Sequence, residues 1–467
     1  MKKIGKRLDK VNKKCSEALE IYTFQEVTHM KFSEEVKTTL WSMIDQMSTN
    51  LSQFIVNPEK DFSRKKKWDF PTLMKFIISM EGQSLKNELH KYFGYTIECP
   101  SNSSFNQRRS QVKADAFKYL FNSFTSNYNK TPKLFKGYKL LACDGSDINI
   151  SHNPCDEETY FQQGTAKGFN QLHLNAMYDL MNRIYTDIVI QPARTENEHA
   201  AFCEMVDRYN GTEKTVFIVD RGYESYNNLA HVIEKGAFFL FRCKDINSNG
   251  IVAFSKDKLP NKDEFDTNIS LILTRKWTKE ILNNRDKYRH FRNNDTFDYL
   301  DLTEHIFYHM NLRVLRFKIS EEEYECILTN LPQNEFSVNE IKKLYAMRWG
   351  IETSFRELKY AVGLTSFHAK KKEYIIQEIW SRLILYNFCE IITSHVVIKK
   401  CTKKHTYQIN YTFAIHICRY FISKMAEKSP PDVEALISKE ILPVRPGRHD
   451  PRKVDHKKAV SFLYRVA

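Results

Sequence analysis

Residues 344–359 read LYAMRWGIETSFRELK, the clearest two-sided pattern in the chain. At about 100° per residue on a helical wheel, Tyr345, Arg348, Glu352 and Lys359 fall within an arc of roughly 60°, with Arg356 just beside it. Met347, Ile351, Phe355 and Leu358 form a separate apolar stripe. One face is therefore built to pack, and the other presents a carboxylate among a phenol and cations. Upstream, Ser337 and Glu340 make a Ser-x-x-Glu capping box, with Phe336 and Ile341 placed as a hydrophobic staple. Downstream, Gly363 suits a C-terminal cap. The pattern predicts one helix over about 338–362. A solvated face laced with salt bridges would read the same way in isolation, so the meaning of Glu352 depends on what the rest of the chain supplies.

Working back from this helix, the period is strand-like from about residue 135. KLLACDGSDINI (139–150) reads as a short buried strand that turns at Asp144-Gly145. FNQLHLNAMYDL (169–180) and RIYTDIVIQP (183–192) follow as strands, then the helix NEHAAFCEMVDRY (197–209). The strand TVFIVDRGY (215–223), the helix SYNNLAHVIEKG (225–236) and the strand AFFLFRCK (237–244) complete the order. Three strands, helix, strand, helix, strand fits an α/β mixed sheet covered on both faces. Residues 246–323 interrupt it with β-like runs among polar turns and read as a β-rich insertion. YECILTNLP (324–332) returns to the core. Asp144 and Asp220 both stand where buried strands stop. Either alone reads as a turn former, but the carboxyl ends of strands are where α/β sheets hold ligands. Together with Glu352 they would make an oxygen-rich pocket suited to Mg²⁺ or Mn²⁺.

The 467 residues exceed one typical core, and 42% hydrophobic content excludes global disorder. A formal net charge of +14 suits a polyanionic partner, nucleic acid above all. The ten cysteines never stand two or three residues apart, which excludes a zinc knuckle or redox pair and fits reduced thiols in the cytoplasm. The basic N-terminus, MKKIGKRLDKVNKK, lacks the apolar stretch of a signal peptide. The greasiest stretch, Leu383 to Ile398, is interrupted by Glu390 and His395 and is too short to span a bilayer, so it reads as a buried helix and no membrane partner is expected.

Tyr345-x2-Arg348-x3-Glu352-x6-Lys359 resembles, with every spacing kept, the Tyr-Arg-Glu-Lys signature of the insertion-sequence-4 family of DDE transposases, bacterial cut-and-paste elements. CDGSDINI around Asp144, IVDRGYES around Asp220 and LYAMRWGIETSFRELK around Glu352 are similar to that family's words, in its order. The resemblance implies a ribonuclease-H-like catalytic core and makes Asp144, Asp220 and Glu352 a triad holding two divalent ions about 3.5–4 Å apart. It implies in-line phosphoryl transfer, first to water at the element end and then from the freed 3′-hydroxyl to target DNA. Tyr345, Arg348 and Lys359 would contact phosphates near the element end, with Arg356 beside them. It further implies terminal inverted repeats and target DNA as partners and a homodimer that brings two ends together, with the protein at the bacterial nucleoid when bound. The helices from Glu378 to Ile398 and from Tyr411 to Met425 are candidate dimer surfaces. A DNA-binding descendant that has lost catalysis is the alternative.

The rest of the plan follows. Residues 1–130 read as a helical DNA-binding region, 131–245 as the first part of the core, 246–323 as the insertion, 324–372 as the second part with the glutamate helix, and 373–467 as a helical C-terminal region with a basic tail. Arg108 and Arg109 are candidates for reading the terminal repeat. Trp277, in the insertion, is placed by the resemblance to stack on a flipped base. Arg64 to Lys67 and the tail around Arg445, Arg448, Arg452 and Lys453 are basic enough to lie along phosphates. Asp147 reads as a turn residue or a support for Asp144, His173 as a core histidine, and Glu198 as an exposed helix-start carboxylate near the dipole or a support for the metal site.

Overall fold

Alternation along residues 138–150 decides where the layers lie, because each step along a strand swaps faces. In the computed structural model, Leu141 and Cys143 pack into the core on one side of the sheet, and Leu140 and Ala142 into the cores on the other. The structure describes residues 31–64, 67–162, 164–165, 167–284, 287–321, 323–396, 407–423 and 431–443.

The first five helices are α1 (Phe32–Thr49), α2 (Phe70–Ser79), α3 (Leu85–Tyr92), α4 (Asn102–Arg109) and α5 (Ala114–Tyr128). The sheet then begins with β1 (Tyr138–Ile150), β2 (Tyr160–Phe161), β3 (Phe169–Asp179) and β4 (Ile184–Pro192), followed by α6 (Glu198–Arg208), β5 (Lys214–Val219), α7 (Tyr226–Glu234) and β6 (Phe238–Cys243). Apart from the two-residue β2, this is the strand–helix order the periodicity predicts. β3 is antiparallel to both β1 and β4, whereas β5 is parallel to β1 and β6 parallel to β5.

Residues 246–323 do carry strands, β7 (Phe265–Thr274), β8 (Tyr288–His290) and β9 (Phe307–Lys318), with the short helix α8 (Lys279–Asn283) between the first two. They join the main sheet through β10 (Tyr324–Thr329), in the order β2-β3-β1-β5-β6-β10-β9-β7-β8, with β4 also on β3. The inserted segment therefore extends the sheet's far edge.

The helix expected over 338–362 is present in three pieces, two α-helical, α9 (Val338–Met347) and α10 (Trp349–Arg356), and a π-helical turn at Glu357–Ala361. The capping box of Ser337 and Glu340 forms as predicted, Phe336 and Ile341 share one core, and Gly363 takes φ +89° at the C-terminal end. Helix α11 (Lys372–Thr393) is buried along nearly its whole length, packing on α2 and α5 and under β4. Burial on every side explains why apolar residues stand all round it, and its buried polar groups Arg382, Asn387 and Glu390 find partners inside the protein. Helices from both ends of the chain thus form one layer over β1, β3 and β4, and α6 and α7 cover the opposite face. No helix among the described residues is long and apolar enough to cross a membrane.

Candidate active site

The parallel pairing of β1 with β5 runs to Ala142 opposite Ile218, and two residues further along each chain stand Asp144 and Asp220. Asp144 shares its parity with Leu140 and Ala142, so it faces the side covered by α10. Its strand does not stop there: β1 continues, paired with β3, through Ile150. Gly145 is not a turn residue. A β-carbon at Gly145 would collide with the Glu198 carboxylate and the His173 imidazole, so glycine is needed for close approach. The Gly145 N–H donates to Asp144 Oδ1 at 2.9 Å. Asp220 does follow a strand end. It caps the short turn Arg221–Tyr223, accepting the Gly222 N–H at 2.7 Å.

Arg348 links the third carboxylate to the first. Its Nη2 donates to Glu352 Oε1 at 2.8 Å and its Nη1 lies 3.9 Å from Asp144 Oδ2. Burial pushes the Asp144 carboxyl up to about 6; the like charges of Asp220 and Glu352 add to this, and the Gly145 N–H and Arg348 oppose it. Both other acids raise the Asp144 pKa; Arg348 joins Glu352 to Asp144, and Asp220 stands at the end of the neighbouring strand β5.

The cations and phenol of the same helix divide. Arg348 is 4% exposed and Tyr345 6%. The Arg348 guanidinium sits 5.6 Å from the Tyr345 ring centroid, and neither the Tyr345 hydroxyl nor Arg348 Nε makes a hydrogen bond. Lys359 lies in the π-helical turn, where burial lowers its pKa and Asp147 raises it. Arg356 is exposed. A π turn shifts the faces that follow it and commonly marks functional sites.

A second group of donors occupies the opposite face of β1. Asp147 and His173 are cross-strand partners in the β1–β3 register. His173 Nδ1 lies 2.8 Å from Asp147 Oδ1 and 3.0 Å from Glu196 Oε2, and its Nε2 lies 3.0 Å from Glu198 Oε1. Burial lowers the imidazole pKa, but Asp147, Glu198 and Glu196 overcome it and raise it to about 9. Sequence reading passed over Glu196, read His173 as a core histidine, and gave Asp147 and Glu198 at most a supporting role beside the metal site. The missing signal is the strand register, which sets Asp147 opposite His173.

Arg108 and Arg109 are not placed to read bases. Arg109 is 1% exposed and donates to Gln377 Oε1 at 2.8 Å, Glu378 Oε1 at 2.9 Å and the Tyr374 carbonyl at 2.5 Å. Arg108 is 7% exposed, bonds Gln111 and the Arg64 carbonyl, and lies over the Phe62 ring. Both sit in the last turn of α4, where packing against α11 and the 54–64 segment absorbs their charge. Trp277 is the reverse case. It is 67% exposed, edge-on to His290 with centroids 4.6 Å apart, so its ring is available to a ligand. Lys67 pairs with Glu98. Lys65, Lys66 and the tail from Arg445 to Lys453 lie outside the described residues. The buried α11 offers little surface to a second subunit; Tyr411–Ile422 keeps exposed positions.

Residues 135–388 match the family model described as the transposase DDE domain. The chain is similar to the transposase for insertion sequence element IS421 of Escherichia coli and to the "Putative transposase InsL for insertion sequence element IS186A" of Escherichia coli strain K12. It is 34% identical to each over 58 residues, 12% of this chain and 16% of theirs. The match thus spans about a sixth of those relatives' length. Among solved structures, the piggyBac transposase synaptic complex with hairpin DNA aligns with a TM-score of 0.45 and 10% identity, over 89% of this chain and 87% of that one.

Proposed function

The chain belongs to the transposase DDE-domain family, and from that premise we propose that it is an insertion-element transposase of the insertion-sequence-4 type, which cuts DNA at its element's ends and joins the freed 3′-hydroxyl to target DNA. The observation that carries the proposal is the pairing of Arg348 with both Asp144 and Glu352, beside the strand end that carries Asp220. The strand order β4-β3-β1-β5-β6, three antiparallel strands followed by two parallel ones, supports a ribonuclease-H-like core.

The residues fit divalent cations. Asp144 is buried beside two further acids and is costly as a lone anion; an oxygen-seeking dication offsets that cost. Two Mg²⁺ or Mn²⁺ ions held by Asp144, Asp220 and Glu352 would supply an activated nucleophile and a stabilised leaving 3′-oxygen. The protein's own part is positioning. Arg348 orients Glu352 and neutralises part of the acid charge until DNA arrives. The Tyr345 hydroxyl and the Lys359 ammonium donate to phosphate oxygens flanking the scissile bond. Arg356, exposed one turn beyond Glu352, meets the backbone further out. Trp277 stacks on a base displaced from the duplex.

The same premise extends to organisation: a core over 131–245 and 324–372, an insertion over 246–323 that reaches the DNA, helical regions before and after, and a dimer that holds two ends. The test is a labelled duplex carrying the element's terminal inverted repeat, incubated with Mg²⁺, Mn²⁺ or chelator beside a random duplex. Metal-dependent nicking at the repeat's edge alone supports the proposal. Binding without cleavage under every metal condition favours a silenced descendant, and equal cleavage of both duplexes a nuclease without end specificity.

A further inference from the structure

We propose that Asp147, His173 and Glu196 form a cation site distinct from the carboxylate triad, one that takes a first-row transition-metal dication in preference to Mg²⁺. Among the described residues, these are the one set of three metal-donor side chains whose donor atoms all lie within 4.8 Å of one another. Strand alternation turns Asp147 to the face of β1 opposite Asp144, so the set is not part of the triad.

The two spacings around His173 Nδ1, which now serve as hydrogen-bond and ion-pair distances, are also those of neighbouring ligands in a coordination shell. Adjacent ligands of an octahedral ion, bound at about 2.1 Å, stand about 3.0 Å apart. His173 Nδ1 stands 2.8 Å from Asp147 Oδ1 and 3.0 Å from Glu196 Oε2. The ring's other nitrogen gives an independent indication. His173 is 5% exposed, and its Nε2 stands 3.0 Å from Glu198 Oε1, in ion-pair distance. A cation on Nδ1 fixes the proton on Nε2, and a carboxylate beside that proton is the usual outer partner of a metal-bound histidine. Charge points the same way, because three carboxylates outnumber one imidazole even when it is protonated. The nitrogen donor sets the class of ion. Imidazole suits Mn²⁺, Fe²⁺, Co²⁺ or Zn²⁺, whereas Mg²⁺ keeps to oxygen ligands and water. Gly145 connects the two sites, since it is packed against His173 and Glu198 and is bonded to the Asp144 carboxylate. An ion on one face would therefore stiffen the strand that carries the catalytic acid on the other.

This inference stands on the β1–β3 register and the start of α6, and does not rest on the transposition reading. The experiment titrates the full-length protein with Mn²⁺ to three equivalents and reads the electron spin echo envelope modulation of the bound ion for ¹⁴N coupling. One imidazole nitrogen is expected in the wild-type protein and in Asp144→Asn/Glu352→Gln. In His173→Gln the coupling should vanish and one Mn²⁺ per chain should bind at least tenfold more weakly. Glu196→Gln should keep the coupling while weakening the site. Bound Mn²⁺ without nitrogen coupling in the wild-type protein overturns the proposal. So does coupling that persists in His173→Gln, or displacement of the nitrogen-coupled ion by an equal concentration of Mg²⁺. Absence of nitrogen coupling in the wild-type spectrum overturns the proposal even where a variant fails to fold, and the conservative Glu196→Gln ties the coupled ion to this cluster.

Discussion

Arg109 and Arg348 are both buried arginines near the end of a helix turn, and each faces glutamate, yet their surroundings differ in kind. Around Arg109 each guanidinium nitrogen has a protein acceptor, from the Gln377 and Glu378 side chains and the Tyr374 carbonyl. Around Arg348 one nitrogen bonds Glu352, one stands 3.9 Å from Asp144, and Nε has no hydrogen bond. The first region is closed: its charge is matched and its donors are used. The second is open, with three acids sharing one field and donors left over beside them. Burial of a charge marks neither structure nor function by itself; what separates the two is whether the surrounding protein satisfies it.

The sharpest way to break this comparison is to remove each arginine. Arg109→Ala should destabilise the fold by about 3–5 kcal/mol, because Glu378 is left buried without its ion-pair partner. Denaturant melts read this, and the folded fraction should still cleave DNA at its normal rate. Arg348→Ala should do the opposite, lowering cleavage by roughly a hundredfold or more, on the scale of other electrostatic stabilisers in active sites, with little change in the melt. A smaller effect sharpens the closed region. Burial works against the Glu378 carboxylate, but Arg109, His368 and Arg382 overcome it and hold its pKa well below the ordinary value of 4.5. A depressed carboxylate contributes stability that is complete above its unfolded value and lost as pH falls. The wild-type protein should therefore lose stability below about pH 4.5, and Glu378→Gln, less stable at neutral pH, should lose less on the same descent. Smallest in stability is Trp277→Ala: an exposed ring of the inserted segment should change the melt by no more than about 0.5 kcal/mol, while binding of element ends weakens about tenfold if the ring stacks on a base.

These contrasts also show what sequence could and could not carry. The glutamate helix was legible in its start, stripe and stop, because capping and periodicity are local. The strand–helix order around Asp144 and Asp220 was legible for the same reason. Asp-Gly was misread as a turn: the cause of Gly145 is a collision with Glu198 and His173, which only the assembled sheet brings close. The charge of Arg109 was misread as a DNA contact because its acceptors lie more than 260 residues away along the chain. The insertion's strands were visible, but their addition to the main sheet depends on the long-range pairing of β10 with β6. The Asp147–His173–Glu196 group was hidden behind the same limit, since no periodicity specifies register.

The central claim is that Asp144, Asp220 and Glu352 act as one site. Its most direct test is the rate of metal-dependent cleavage of a repeat-bearing duplex by Glu352→Gln, a variant that keeps the size and shape of the side chain. The account predicts a loss of at least a thousandfold with end binding and the thermal melt retained. Cleavage within a few-fold of the wild-type rate would contradict it.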